Sequence, residues 1–193
     1  MNKKFKNKPR RIYLESQIYF VTVKTFYNQP IFKNNKNATI FLWALNFLKQ
    51  RGDFELSAGV LLYDHFHLLL IPIKKNISEI MHDLKSYVAN RINYNRRGRD
   101  ASPLGINNQH NHRQGLCALP FVKIWQSSFY CHLILSEQDL ENHFNYIIWN
   151  PVKHGYVARS EDWPYLYDLQ AGLPRPANGN GGAIKVSKNL TLF

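Results

Sequence analysis

The segment LLYDHFHLLLIPI (61–73) sets two histidines, His65 and His67, one residue apart in an otherwise apolar run. Imidazole binds divalent ions in its neutral form and also serves as a general base near neutral pH. On a β-strand the side chains alternate, so His65 and His67 share a face while Asp64, Phe66 and Leu68 take the other. Their backbones stand about 7 Å apart, two steps of the ~3.3 Å strand rise, and both rings can reach one ion. A His-x-His on a strand is a weak signal by itself. One ring can equally be a satisfied core histidine and the other a surface residue. A second pair, His110 and His112 in QHNHRQG, has no rigid backbone to fix it and reads as solvated loop.

A metal site needs further ligands, and a reaction needs a nucleophile. Segment SEQDLENHFNYIIWN (136–150) supplies candidates for both. Tyr146 and Asn150 are four residues apart, so on a helix they lie on one face, a turn from each other. The Asn150 carbonyl suits a hard divalent ion that also accepts imidazole, Mg²⁺ or Mn²⁺. Read alone, YIIWN is an ordinary amphipathic helix end in which Tyr146 packs into the core.

The elements that must position these groups are legible in outline. IYFVTVKT (18–25), rich in β-branched and aromatic residues, predicts a strand. Segment 37–53 predicts a helix with Asn37 as N-cap and Gly52 as stop. FELSAGVLLY and HFHLLLIPI read as two strands meeting near Tyr63 and Asp64. Ile77, Ile80, Met81, Leu84, Tyr87, Val88 and Ile92 recur at three- and four-residue spacing, an amphipathic helix over 77–98 that closes in a basic run. Residues 99–119 are polar and broken by Pro and Gly, a long loop. Segment 121–135 reads as strand. Ser136 and acidic residues open a last helix that Pro151 cuts short. The order β-α-β-β-α-β-α places the chain in the α+β class, as a ferredoxin-like βαββαβ antiparallel sheet with helices on one face and an added C-terminal helix.

The chain has 193 residues, enough for one domain with an ordinary core. It divides into a basic arm (1–11), a domain (12–168) and a Gly/Pro/Asn-rich tail (169–193). A formal charge of +12 points to a polyanionic partner, with nucleic acid ahead of an anionic membrane surface. Candidate phosphate contacts are Lys3, Lys4, Lys6, Lys8, Arg10 and Arg11 of the arm, and Arg91, Arg96, Arg97 and Arg99. No apolar run reaches the ~20 residues that span a bilayer, so no membrane role is expected. Cys117 and Cys131 form neither a CxxC pair nor a disulfide framework, and a cytoplasmic, nucleoid-associated protein is the expectation.

DHFHLLL, then WQSSFYCHLILSEQDLENHFNYIIWNPVKHGYV, then EDWPY resemble the single-tyrosine HUH transposases, and among them the REP-associated tyrosine transposase branch. The likeness covers roughly residues 12–168, and its most specific part is YIIWNPVKHG. Two departures stand out: Leu62-Tyr63-Asp64 precedes the histidines where the family usually has Met-Pro-Asn or similar, and loop 99–119 is long. The resemblance implies that His65 and His67 bind a divalent metal, that Asn150 occupies the third ligand position, and that Tyr146 attacks single-stranded DNA to leave a 5′-phosphotyrosine. It implies imperfect DNA hairpins as substrates, and a monomer or homodimer. Three other readings remain open: a ferredoxin-like module that binds single strands through sheet aromatics such as Tyr19, Phe20 and Phe129, a hairpin-binding regulator of DNA or RNA without strand transfer, and a metal-dependent hydrolase.

Overall fold

The computed structural model describes residue 14 and residues 17–97 and 120–168. The arm residues Lys3, Lys4, Lys6, Lys8, Arg10 and Arg11, residue Arg99, loop 99–119 and the tail lie outside the described residues. Five strands form one sheet: β1 (Tyr19–Lys24), β2 (Phe54–Leu61), β3 (His65–Pro72), β4 (Tyr130–Leu133) and β5 (Leu166–Asp168). Their spatial order is β4-β1-β3-β2-β5, and every neighbouring pair is antiparallel. The first four strands follow the expected ferredoxin-like order. The fifth, which the sequence pattern did not reveal, extends the sheet beside β2.

Helices α1 (Asn35–Gln50) and α2 (Ile77–Arg96) cover one face. Their apolar stripes, Ala38, Phe41, Ala44, Leu45 and Leu48 on α1 and Ile77 to Ile92 on α2, meet Val21, Val23, Phe66, Leu68 and Leu70 from the sheet. Helix α3 (Glu137–Lys153) lies on the opposite face, where Ile147 joins Phe20, Ala58, Val60 and Leu69. In β3 the even residues therefore face α1 and α2, and the odd ones face α3. A bulge between Leu56 and Ala58 reverses the alternation of β2, so that Leu56 faces the first core and Ala58 the second. Both cores rest mainly on apolar burial, about 1.5–3 kcal/mol for each fully buried large side chain.

Three boundaries differ from expectation. The N-cap of α1 is Asn34, whose Oδ1 accepts the Lys36 N–H at 2.9 Å, while Asn37 sits inside the helix and donates to the Ile31 carbonyl. The chain enters α1 from a 3-10 turn that buries Phe32, and this brings the start forward. Segment 121–129 is not strand. Its backbone is held at Val122 by the buried side chain of Asn93 on α2, and the Trp125 indole N–H donates to the Lys85 carbonyl. Its apolar residues cap the end of the first core, and it meets the sheet only at a single antiparallel bridge, Trp125 beside Thr25 at the end of β1. Finally, α3 runs through Pro151 to Lys153. Pro151 lacks only its own N–H, and the His154 N–H to the Asn150 carbonyl and the Tyr156 N–H to the Pro151 carbonyl close the last turn. Gly155, at φ 69°, then turns the chain out of the helix.

The start of α2 is tied to the α1–β2 turn by charge. Asp83 accepts from Lys75 and Arg51, and these partners, Lys75 foremost, hold its carboxyl down to about 2. A depressed carboxylate stabilises the fold above its unfolded value near 3.8, and this contribution is lost as pH falls toward 2. Asp83→Asn is therefore expected to cost about 0.5–1 kcal/mol at pH 7, the scale of a part-exposed pair, and little by pH 2. Urea unfolding of both proteins at the two pH values measures this.

Candidate functional site

β3 runs between β1 and β2 with both faces covered, which is why its histidines are almost fully buried. His65 and His67 point together to the α3 face, their ring centroids 4.9 Å apart. Each is fixed through Nδ1. Asp64, at the tight β2–β3 turn, places Oδ1 2.6 Å from His65 Nδ1. Thr22, directly across from His67 in the β1–β3 register, places Oγ1 2.7 Å from His67 Nδ1. With Nδ1 taken on both rings, Nε2 is the nitrogen left to act. In His67 that atom is buried and has no hydrogen-bond partner.

Both imidazoles are held neutral. Burial pushes His67 down to about 3, and electrostatic coupling to His65, His154, Lys24 and Lys153 lowers it further. Burial also lowers His65, opposed by its bond to Asp64. A neutral imidazole with a free Nε2 is the ligand form, and an oriented Nδ1 is the usual outer support of a metal-binding histidine.

α3 begins at Ser136, whose side chain accepts the Asp139 N–H, with Glu137 and Asp139 in the first turn. The helix carries Tyr146 and Asn150 toward the sheet from the side of the histidines. The Tyr146 ring lies 5.1 Å from that of His67 and 5.9 Å from that of Phe20 and is 40% exposed, open to solvent at its rim. Lys153 sets Nζ 5.1 Å from the centre of the same ring. Asn150 is wholly buried one turn deeper, and neither Oδ1 nor Nδ2 has a partner. An unsatisfied buried amide costs on the order of 1–3 kcal/mol, so a folded chain rarely keeps one without a use.

His65, His67 and Tyr146 open on one cavity of about 680 Å³, together with Lys24, Lys153 and His154. Asn150 is fully buried and is not among the residues that line it. Arg91 and Arg96 stand on α2 and Arg97 caps its end, on the far side of the sheet from this cavity; Arg91 lies over Tyr94 and Arg97 over Phe121. Sequence reasoning missed several neighbours. His154, whose ring is 5.3 Å from His65, and Lys153 were visible in the NPVKHG segment but had no assigned part in chemistry. Thr22 and Lys24 carried no local signal, because only the β1–β3 register puts them opposite His67 and His65. Among the described residues, a further group of ligand-type side chains is His132, Asp139 and His143.

The family described as "Transposase IS200 like" matches residues 14–149, a span that contains His65, His67 and Tyr146 and stops one residue before Asn150. A Haemophilus influenzae protein provisionally named a REP-associated tyrosine transposase is 36% identical over 114 residues, 58% of this chain and 57% of its own length. The chain thus spans little more than half of that relative. The REP-associated tyrosine transposase of Escherichia coli K12 is 30% identical over 156 residues, 81% of this chain and 79% of its own. A solved REP-associated tyrosine transposase bound to a REP hairpin shares the fold, with a TM-score of 0.63 over 97% of this chain and 99% of that one at 22% identity.

Proposed function

Because the chain belongs to the IS200-like transposase family, alongside the REP-associated tyrosine transposases, we propose that it cuts and rejoins single-stranded DNA at hairpins through a covalent 5′-phosphotyrosine. The observation that carries this reading is the meeting of an accessible phenol, Tyr146, with two neutral, oriented imidazoles in one cation-lined cavity. Tyr146 Oη attacks the phosphorus of the scissile phosphodiester. The bond to the 3′ oxygen breaks, leaving a free 3′-hydroxyl and the 5′ end on the enzyme. The phosphotyrosine keeps the energy of the broken bond, so a 3′-hydroxyl can reverse the step without a nucleotide cofactor. Lys24 and Lys153 stand where they can pair with phosphate oxygens and hold the strand against Tyr146.

The donor set fits a divalent metal such as Mg²⁺ or Mn²⁺. His67 Nε2 and both polar atoms of the Asn150 amide are buried and unpartnered, and His65 has Nε2 left over after its bond to Asp64. His65, His67 and Asn150 would hold the ion, which when bound supplies Lewis-acid stabilisation of charge on the phosphoryl oxygens. Asp64 and Thr22 keep the imidazoles in the tautomer and orientation that leave Nε2 free. Losing such a support typically costs about 10–100-fold in metal affinity. Asp64→Asn and Thr22→Val are each expected to raise the Mn²⁺ concentration for half-maximal cleavage by that factor, with little change in the metal-saturated rate.

The basic arm and Arg91, Arg96, Arg97 and Arg99 complete the reading as phosphate contacts, which predicts affinity that falls with salt. Among the described residues no helix is long and apolar enough to cross a membrane. The deciding experiment incubates end-labelled single-stranded hairpin oligonucleotides with the protein and Mg²⁺ or Mn²⁺. A denaturation-resistant adduct supports the reading, and tight hairpin binding without one leaves a hairpin-binding regulator.

A further inference from the structure

His132 on β4 and Asp139 and His143 on α3 gather outside the His65–His67 pair. His132 Nε2 is 2.9 Å from Asp139 Oδ2, and His143 Nδ1 is 2.9 Å from Asp139 Oδ1. One ligand atom from each residue lies within 4.8 Å of the others. The two imidazoles stack with centroids 4.8 Å and planes 20° apart, so both present a nitrogen to one carboxylate. Each group is held by a regular element. The β1–β4 register sets His132 opposite Phe20, whose ring also backs His143 at 4.5 Å. The Leu135 N–H donates to Asp139 Oδ2 at 3.1 Å, and Asp139 and His143 share a helix face at four-residue spacing. The three side chains are between 23% and 32% exposed, within reach of an ion from solvent.

We propose that His132, Asp139 and His143 form a second divalent-metal site, separate from His65, His67 and Asn150 and suited to zinc or a similar borderline ion. Two imidazoles and one carboxylate are a sufficient protein donor set for Zn²⁺, with the fourth position left to water. Without metal, His132 Nε2 donates a hydrogen bond to the Asp139 carboxylate, while His143 Nδ1 donates to the Asp139 backbone carbonyl at 2.9 Å and also lies 2.9 Å from Oδ1. On binding, each moves that proton to its other ring nitrogen, so neutral histidines lose no net proton and three coordinate bonds replace two hydrogen bonds. The Phe20 ring stacks on His67 at 5.3 Å and touches His143 at 4.5 Å, so it stands between the two sites. They share no ligand, unlike the paired ions of two-metal centres, which sit about 3.5–4 Å apart.

The second ion acts by position. β4 is a four-residue edge strand that pairs, among the described residues, with β1 alone. An ion bridging His132 to Asp139 and His143 fastens this strand to the first turns of α3, the helix that carries Tyr146. His143 also lines the Tyr146 cavity, so the fastening reaches the wall against which DNA would lie.

The test uses the full chain carrying His65→Ala and His67→Ala, which lacks the first histidine pair, and Zn²⁺ alone as probe. Equilibrium dialysis is expected to find one zinc per chain, and zinc is expected to raise the unfolding temperature. Adding Asp139→Asn or His143→Gln should lower zinc affinity by more than the ~10–100-fold that loss of an outer support costs, and abolish the rise. Metal-free circular dichroism of each variant reports its fold, and Co²⁺ absorption of the His65→Ala/His67→Ala protein reads the ligand set without further substitution. A double variant that binds no zinc overturns the proposal, as does zinc affinity unchanged by both Asp139→Asn and His143→Gln. The cluster is then a hydrogen-bonded brace.

Discussion

Tyr146→Phe is expected to lose the covalent DNA adduct completely and to slow strand cleavage by at least about 10⁴-fold, the scale seen when a nucleophile is removed from an intact site. The change deletes one oxygen. The ring that meets His67, Phe20 and Lys153 remains, so the cavity keeps its shape. Because Tyr146 is partly exposed, stability should move by no more than about 0.5 kcal/mol. Hairpin affinity should hold as well, because in the proposed reading binding draws on the basic residues rather than on the Tyr146 hydroxyl. A gel of labelled hairpin after denaturation, run beside a binding isotherm on the same protein, separates the two properties. An adduct that persists in the Phe variant would remove Tyr146 from the role of nucleophile. Loss of binding together with the adduct would mean that the ring itself holds the DNA.

Asn150→Leu is expected to do two opposite things. Asn150 is fully buried, and both ends of its amide lack partners. Leu has the same branched shape as Asn, is somewhat larger, and has no polar atom to desolvate, so the metal-free variant should be more stable by about 1–2 kcal/mol, the lower part of the cost of an unsatisfied buried group. That corresponds to a rise of roughly 2–8 °C in the unfolding midpoint for a domain of this size. Cleavage should fall about 10²–10³-fold, because the amide proposed as a ligand is gone while Tyr146 is in place. The ranking in stability should also reverse when Mn²⁺ is added. A ligand at 100 times its Kd adds about 2.7 kcal/mol to a protein that binds it, and the Leu variant binds it less. Denaturant unfolding in chelator and in Mn²⁺ reads this reversal directly. If Leu destabilises the metal-free protein, Asn150 has an internal partner in solution and its place in the metal set falls.

The contrast between Tyr146 and Asn150 shows how far local pattern reaches. The four-residue spacing was enough to put both on one side of a helix, and Ser136 was enough to locate its start. Depth was not legible: one residue lies at the rim and the other is sealed, because depth depends on which part of the sheet α3 crosses. Pro151 misled for a related reason. It forbids one backbone bond, and the turn that follows restores the ladder through His154 and Tyr156. The apolar run 121–129 looks like strand because burial is written in composition. That its backbone bonds to the Asn93 side chain on α2 and touches β1 only through one bridge at Trp125 is not.

The amino-acid sequence by itself determined the period of each element, and hence which side chains share a face: His65 with His67, Phe66 with Leu68, Tyr146 with Asn150. Through NPVKHG and the His-Phe-His pair it also determined the family. Tertiary structure alone decided that α3 lies across the sheet from α1 and α2, that Thr22 and Lys24 stand opposite the histidines, that Asp64 turns back onto His65, and that His132 meets Asp139 and His143. Periodicity is a local property, set by the geometry of a few peptide units. Which faces meet is settled by the whole fold: some partners are up to a hundred or more positions apart, and even neighbours such as Asp64 and His65 meet only once the turn between them is formed.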